Sequence, residues 1–199
     1  MENNPILDHQ NAETILKEAW ILFQQKGYRG VTMDELCRRC KLTKPTLYYY
    51  FQDKETLFVQ VLQYKLHGFR AVIEQPGTIP ERLERTAQVI LESFLTEYST
   101  LLRDREHIKD PANLDKIRQA FRSELFDPLN SLMQSGLETG ELAAETPETL
   151  TLVFLGIINN FISRAAEMPG SKLPLARKLT GYFLHGAQKV RLAENEPNL

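Results

Sequence analysis

The chain has 199 residues, of which 42% are hydrophobic and 25% charged, and its formal net charge is −2. That is enough apolar material to fill the core of one large domain or two small ones. No apolar run reaches the roughly 18 residues of a membrane span, and the polar start MENNPILDHQ lacks the apolar block of a signal peptide, so a cytoplasmic protein is expected. Residues 25–54 hold Lys26, Arg29, Arg38, Arg39, Lys41, Lys44 and Lys54 against Asp34, Glu35 and Asp53, a balance of +4 that leaves −6 for the rest. A basic module on an acidic body suits a protein that meets phosphate at one end.

Residues 1–10 read as a loose arm. A helix is predicted from near Asn11 to Lys26, with Ile15, Ala19, Leu22 and Phe23 on its apolar face and Gly27 as its stop. Thr32, followed three residues later by Glu35, reads as a capping box. It opens a helix over Met33–Cys40 that turns Leu36, Cys37 and Cys40 inward and Arg38 and Arg39 outward. Lys41, Leu42 and Thr43 form the turn. Thr43 caps the next helix, Lys44–Phe51, and Pro45 sits in its first turn, where a missing N–H costs little. At 100° per residue Leu47, Tyr50 and Phe51 face inward, Pro45, Thr46 and Tyr49 face outward, and Tyr48 lies on the flank. A short helix that exposes a tyrosine beside cations suits a DNA major groove, which is wide enough to admit it. Asp53 then caps a helix running from Lys54 to about Ile73, with Leu57, Val61, Leu62 and Phe69 inward.

Gln75-Pro76-Gly77 breaks the chain, and Thr78 with Glu81 opens a new helix. Its stripe is Leu83, Ala87, Ile90, Leu91, Phe94, Tyr98, Leu101 and Leu102. Arg103 to Asp110 is a charged loop or short helix. A helix over about Pro111–Leu137 follows, with a kink or break predicted at Pro128 and an end at Gly140. Thr146-Pro147 opens the most apolar helix, LTLVFLGIINNFI, whose apolar residues occupy almost its whole circumference and call for burial on all sides. The last helix, Ser171 to about Ala193, is amphipathic through Leu175, Leu179, Phe183 and Val190. Without strand alternation or repeats, the fold class is all-α, with about nine helices.

Between about Ile15 and Leu62 the chain closely resembles the DNA-binding domain of the tetracycline-repressor (TetR) family of bacterial transcription regulators. The resemblance rests on Ala19, Phe23, Gly27, Thr32, Leu42-Thr43-Lys44, Thr46-Leu47-Tyr48, Phe51 and Lys54-Glu55. It implies a helix-turn-helix head over residues 10–70 and a larger ligand-binding and dimerisation body over 71–199. It also implies that Thr32, Thr43, Tyr48 and Lys54 hold phosphates while Lys44, Pro45, Thr46 and Tyr49 lie against the bases. Phosphate contacts set register and base contacts set sequence. Lys41 and Pro45 stand where the family often has glycine. A left-handed Lys41 costs of order 1–2 kcal/mol, and Pro45 offers no N–H to DNA, so the operator cannot be carried over from relatives. The expected function is a repressor that binds a palindromic double-stranded DNA operator as a homodimer through its last two long helices, acts in the cytoplasm on the nucleoid, and is released by a small apolar effector. Candidate pocket walls are Phe94, Tyr98, Phe121, Phe126 and Phe154.

Other readings compete at several positions. Cys37 and Cys40, the only cysteines, cannot furnish a four-cysteine zinc site; they read as small core side chains, against a redox switch in the second helix. The four histidines show no metal-protease spacing, and no phosphate loop or nucleophile elbow stands out, so neither an enzyme, a metal nor a cofactor is expected. Asn159-Asn160, inside the apolar helix, needs partners from a ligand, a second subunit or a neighbouring helix. An effector-independent architectural or division factor, and an all-α enzyme, are the alternative functions.

Overall fold

The computed structural model describes residues 5–95, 104–142 and 145–187. The expected Tyr98, Leu101, Leu102 and Val190 lie outside them. The helices are α1 (Pro5–Gly30), α2 (Met33–Cys40), α3 (Lys44–Tyr50), α4 (Lys54–Leu66), α5 (Phe69–Ile73), α6 (Ile79–Ser93), α7 (Pro111–Phe121), α8 (Asp127–Glu138), α9 (Pro147–Asn159), α10 (Ile162–Glu167) and α11 (Leu173–Ala187). A 3₁₀ turn covers Arg105–His107, and among the described residues there is no strand.

The N-terminal part packs α1 on α4 and on α2, with α2 against α3. Ile15, Ala19, Leu36, Leu47, Leu57 and Phe58 are fully buried where these helices meet. Complete burial of one such side chain is worth about 1.5–3 kcal/mol, which fixes the two short helices, α2 and α3, to the longer α1 and α4. In the C-terminal part α11 lies along α6, α9 packs against α8 and α11, and α7 runs beside α4. Phe154 on α9 meets Phe183 on α11 edge to face at 5.3 Å.

Several expectations are corrected. The first helix begins at Pro5 rather than near Asn11, and its regular run ends where Gly27 takes φ 67°. Only half of the capping box at Thr32 forms. Its hydroxyl accepts the Glu35 N–H at 3.2 Å, but the Glu35 carboxylate pairs with Lys26 instead. The helix expected over 54–73 is two helices, because the chain turns at Gly68 with φ 92°. Likewise Asn160 and Phe161 separate α9 from α10. The break expected at Pro128 appears as a π-helical turn over Arg122–Phe126, just ahead of the proline. This wider turn accommodates a residue whose ring would clash with the preceding carbonyls.

The α9 helix is not buried on all sides within one chain: Leu150, Thr151, Phe154, Leu155 and Ile158 are covered, but Leu152 is 56% and Val153 48% exposed. Taken across the break, Pro147–Glu167 is 21 residues long and apolar enough, by length and composition, to cross a membrane. That qualifies the expectation that no run reaches such a length. Its apolarity has a packing cause here, since one face of α9 and α10 lies in the helical core.

Candidate nucleic-acid interface

The α2–turn–α3 unit follows from local chemistry. Thr32 and Thr43 have extended backbones and cap α2 and α3; the Thr43 hydroxyl accepts the Thr46 N–H at 3.4 Å and lies 2.8 Å from the Thr46 hydroxyl. Between them Lys41 takes the left-handed conformation, φ 55° and ψ 40°, and its N–H closes on Arg38 O. A glycine is the usual residue for such a C-terminal turn. Pro45 occupies the first turn of α3, where no intrahelical N–H is needed.

The inward and outward faces of α3 fall as their spacing predicts except at Thr46, expected outward and found half-buried. Leu47 and the following Phe51 are buried, and Tyr50 is half-buried against the core. Tyr49 is 66% and Tyr48 45% exposed. Lys44 and Pro45 are exposed, and Thr46 is half-buried beside Thr43. Lys44 pairs with Asp34 at 2.8 Å across the turn. Hydrogen bonding to that carboxylate raises the Lys44 pKa and keeps the ammonium charged. Both partners are exposed, so this pair is a weak competitor for a DNA ligand.

Lys54 is placed differently from its surface neighbours. Its Nζ donates to Tyr28 O at 2.9 Å and Val31 O at 3.0 Å, and lies 4.4 Å from the centre of the Tyr28 ring. Burial lowers its pKa. The residue thus pins the start of α4 to the turn between α1 and α2, a role that its position in a basic stretch did not disclose. The signal was present in Tyr28, a ring able to hold a cation.

The four described aromatic residues expected around a pocket have different surroundings. Phe94 packs on Trp20 at 5.3 Å and Phe69 at 6.3 Å, joining the end of α6 to α1 and α5. Phe154 is buried against Phe183. Phe121 and Phe126 flank the π-helical turn and line an open cleft of about 330 Å³ with Arg122, Asp127, Asn130 and Glu148. Tyr98 lies outside the described residues. Among those described, no group of three or more histidine, cysteine or acidic side chains forms a metal site.

A capped, tyrosine-exposing second helix on a basic unit of an all-α chain has the layout of a helix-turn-helix. Residues 15–61 match the model of bacterial regulatory proteins, tetR family. The chain is 36% identical over 55 residues to the uncharacterized HTH-type transcriptional regulator YuxN of Bacillus subtilis (strain 168), a match covering 28% of this chain and 19% of YuxN. It is 24% identical over 123 residues to IcaR of Staphylococcus aureus (strain Newman), the negative transcriptional regulator of the biofilm operon icaADBC, covering 62% of this chain and 63% of IcaR. The chain therefore spans less than two thirds of either relative. Among solved structures, the TetR-family regulator PfmR from Thermus thermophilus aligns with a TM-score of 0.71 and 25% identity over 88% of this chain and 99% of PfmR. AibR, solved in complex with isovaleryl coenzyme A and operator DNA, shares the fold with a TM-score of 0.67 and 20% identity, over 86% of this chain and 97% of AibR. Residues 15–61 are thus similar to the tetR-family DNA-binding domain, and the chain as a whole shares the fold of TetR-family regulators. These relatives are transcription regulators and not enzymes.

Proposed function

We propose that the protein is a homodimeric repressor that reads a palindromic operator with α3 of each subunit and is released by a small apolar effector. The observation that carries the reading is the exposure of Tyr49, 66%, on a helix anchored in the core by Leu47 and the following Phe51. A side chain so presented costs no unfolding to reach a base edge. Tyr49, Lys44, Pro45 and Thr46 are assigned to the bases. Lys44 is suited to guanine O6 or N7, and Tyr49 to a thymine methyl. The Thr32 and Thr43 hydroxyls and Tyr48 are assigned to phosphates, as is Lys54, whose ammonium keeps a third N–H beyond its two carbonyl bonds.

The division into a head over 10–70 and a body over 71–199 is supported by the turns at Gly68 and Gly77, both with positive φ. A dimer seam along α9 and α11 is favoured by exposed Leu152, Val153 and Tyr182. It is favoured also by Asn159, whose buried Oδ1 has no partner among the described residues, whereas the Asn160 amide donates to Gly156 O at 2.8 Å in its own helix. Repression follows the sense of IcaR, and effector response follows the fold shared with AibR, solved with isovaleryl coenzyme A and operator DNA. A regulator of this kind acts in the cytoplasm.

The test is selection of bound sequences from a random DNA pool, then comparison with Tyr49→Ala. The variant is expected to lose about 1–3 kcal/mol of specific binding and to relax its sequence preference. Its thermal stability should stay within about 0.5 kcal/mol of wild type, as for other surface changes. Unchanged discrimination between the selected site and random DNA would refute the role of Tyr49.

A further inference from the structure

The segment 104–113 is tied to the N-terminal helices by two carboxylates that reach in opposite directions. From the body, Asp104 Oδ2 accepts the Tyr28 N–H at 2.7 Å, one residue after the chain turns at Gly27. From the head, Glu55 in the first turn of α4 reaches the start of α7. Its Oε2 accepts the Lys109 N–H, and its Oε1 accepts the Asp110 N–H and Asn113 Nδ2, all at 3.0 Å. The first N–H groups of a helix have no partners within it. Here Asp110 caps Ala112 at 2.9 Å, while Glu55, from a different element, holds the two N–H groups that lead into the helix, those of Lys109 and Asp110.

The two ties converge on one place. Between them the His107 ring stacks on Tyr28, with centres 6.1 Å apart. The Tyr28 carbonyl accepts from Lys54, the sequence neighbour of Glu55. The turn that opens α4 therefore holds the α1–α2 connection with one residue and the body with the next. Both residues stand immediately beyond α3, whose outward face carries the proposed base contacts. Bonds from backbone N–H to carboxylate are charge-assisted and stronger than neutral ones. Removing the carboxylate leaves donors without partners, which costs more than the bond itself contributes.

We propose that Glu55 and Asp104 are positioning residues for DNA recognition. Together they clasp the segment 104–113 to the turn before α2 and to the first turn of α4, and so fix how α2 and α3 are held against the body. Neither residue lies on the face assigned to DNA. The clasp rests on the operator reading only for its effect on binding; its existence as a mechanical tie does not.

The experiment uses full-length protein and the variants E55A, E55Q and D104A, each first checked for wild-type helix content by circular dichroism. Amide hydrogen exchange should accelerate at Lys109 and Asp110 in E55A and at Tyr28 in D104A. Affinity for the selected operator should fall on the order of tenfold in both, with the slope of affinity against salt unchanged, because no phosphate contact is removed. E55Q, which keeps one acceptor oxygen, should fall between E55A and wild type. Wild-type operator affinity in variants with accelerated amides would overturn the positioning role, and an altered salt slope would do so by making the residues direct DNA contacts. A wild-type protein that enriches no sequence would count against the operator reading. The clasp is then judged on exchange alone, and unchanged protection at all three amides would overturn it.

Discussion

Lys41 turns the chain from α2 into α3 with φ 55°, a region that a side chain enters at a cost and glycine does not. Lys41→Gly should therefore raise the free energy of unfolding by about 1 kcal/mol, read from the denaturant midpoint. If the lysine was kept for phosphate, the same variant should bind all DNA sequences more weakly and reduce the salt slope by about one. A gain in stability with no change in slope would show that the charge does not touch DNA. The two cysteines stand differently. Cys37 is buried and Cys40 half-buried, both as free thiols. Burial pushes the Cys40 thiol above its usual range, and the Glu18 carboxylate adds to the effect. A raised thiol pKa means less thiolate at any given pH below it, and thiolate is the reactive form. Alkylation of the folded protein at neutral pH should accordingly be slower than that of a free cysteine, and DNA binding should survive mild oxidant. Rapid modification with loss of binding would restore the redox switch.

Breaks between helices, rather than their lengths, give the elements their arrangement. Gly68, with φ 92°, ends the long helix that periodicity implies, and its N–H donates to Glu124 at 3.1 Å on the π-helical turn. Arg70 Nε donates to Ser123 O at 2.9 Å at the same place. A side chain at position 68 would meet nothing within 4 Å. The cost of Gly68→Ala is therefore conformational alone, about 1 kcal/mol lost in chemical denaturation. A neutral outcome would mean that α4 and α5 can join into one helix. Periodicity did not show this break because Leu62, Leu66, Phe69 and Ile73 continue the apolar spacing through it. Conversely, the caps at Thr43, Asp53, Thr78 and Thr146 were all readable, because a cap needs only a side chain and the next three backbone groups.

At the scale of the molecule, the exposed Leu152, Val153 and Tyr182 leave one chain with apolar surface on α9 and α11 that a soluble subunit rarely carries unpaired. Sedimentation should give twice the 22.9 kDa of one chain. Leu152→Arg should shift it to a monomer and weaken operator binding by far more than any single contact on α3, since two half-sites are read only by a pair. A wild-type monomer, or a charged variant that still dimerises, would remove the proposed seam. The charge division tells the same story from the other side: residues 25–54 carry +4 and the rest of the chain −6. A cation-rich end on an acidic body steers one surface towards phosphate.

The sequence by itself determined the all-α class, the helix-turn-helix and the inward sense of Leu47 and Phe51 and outward sense of Pro45 and Tyr49. Those depend on neighbours within a few positions: a hydroxyl three residues from an N–H, or 100° of rotation per residue. The internal bonds of Lys54, the different surroundings of Phe94, Phe121, Phe126 and Phe154 and the reach of Glu55 and Asp104 were decided only by the tertiary structure. Tyr28 and Asp104 are 76 residues apart in the chain, and Glu55 and Asn113 are 58 apart. Which distant backbone N–H a carboxylate meets is set by how helices pack, and no local pattern encodes that.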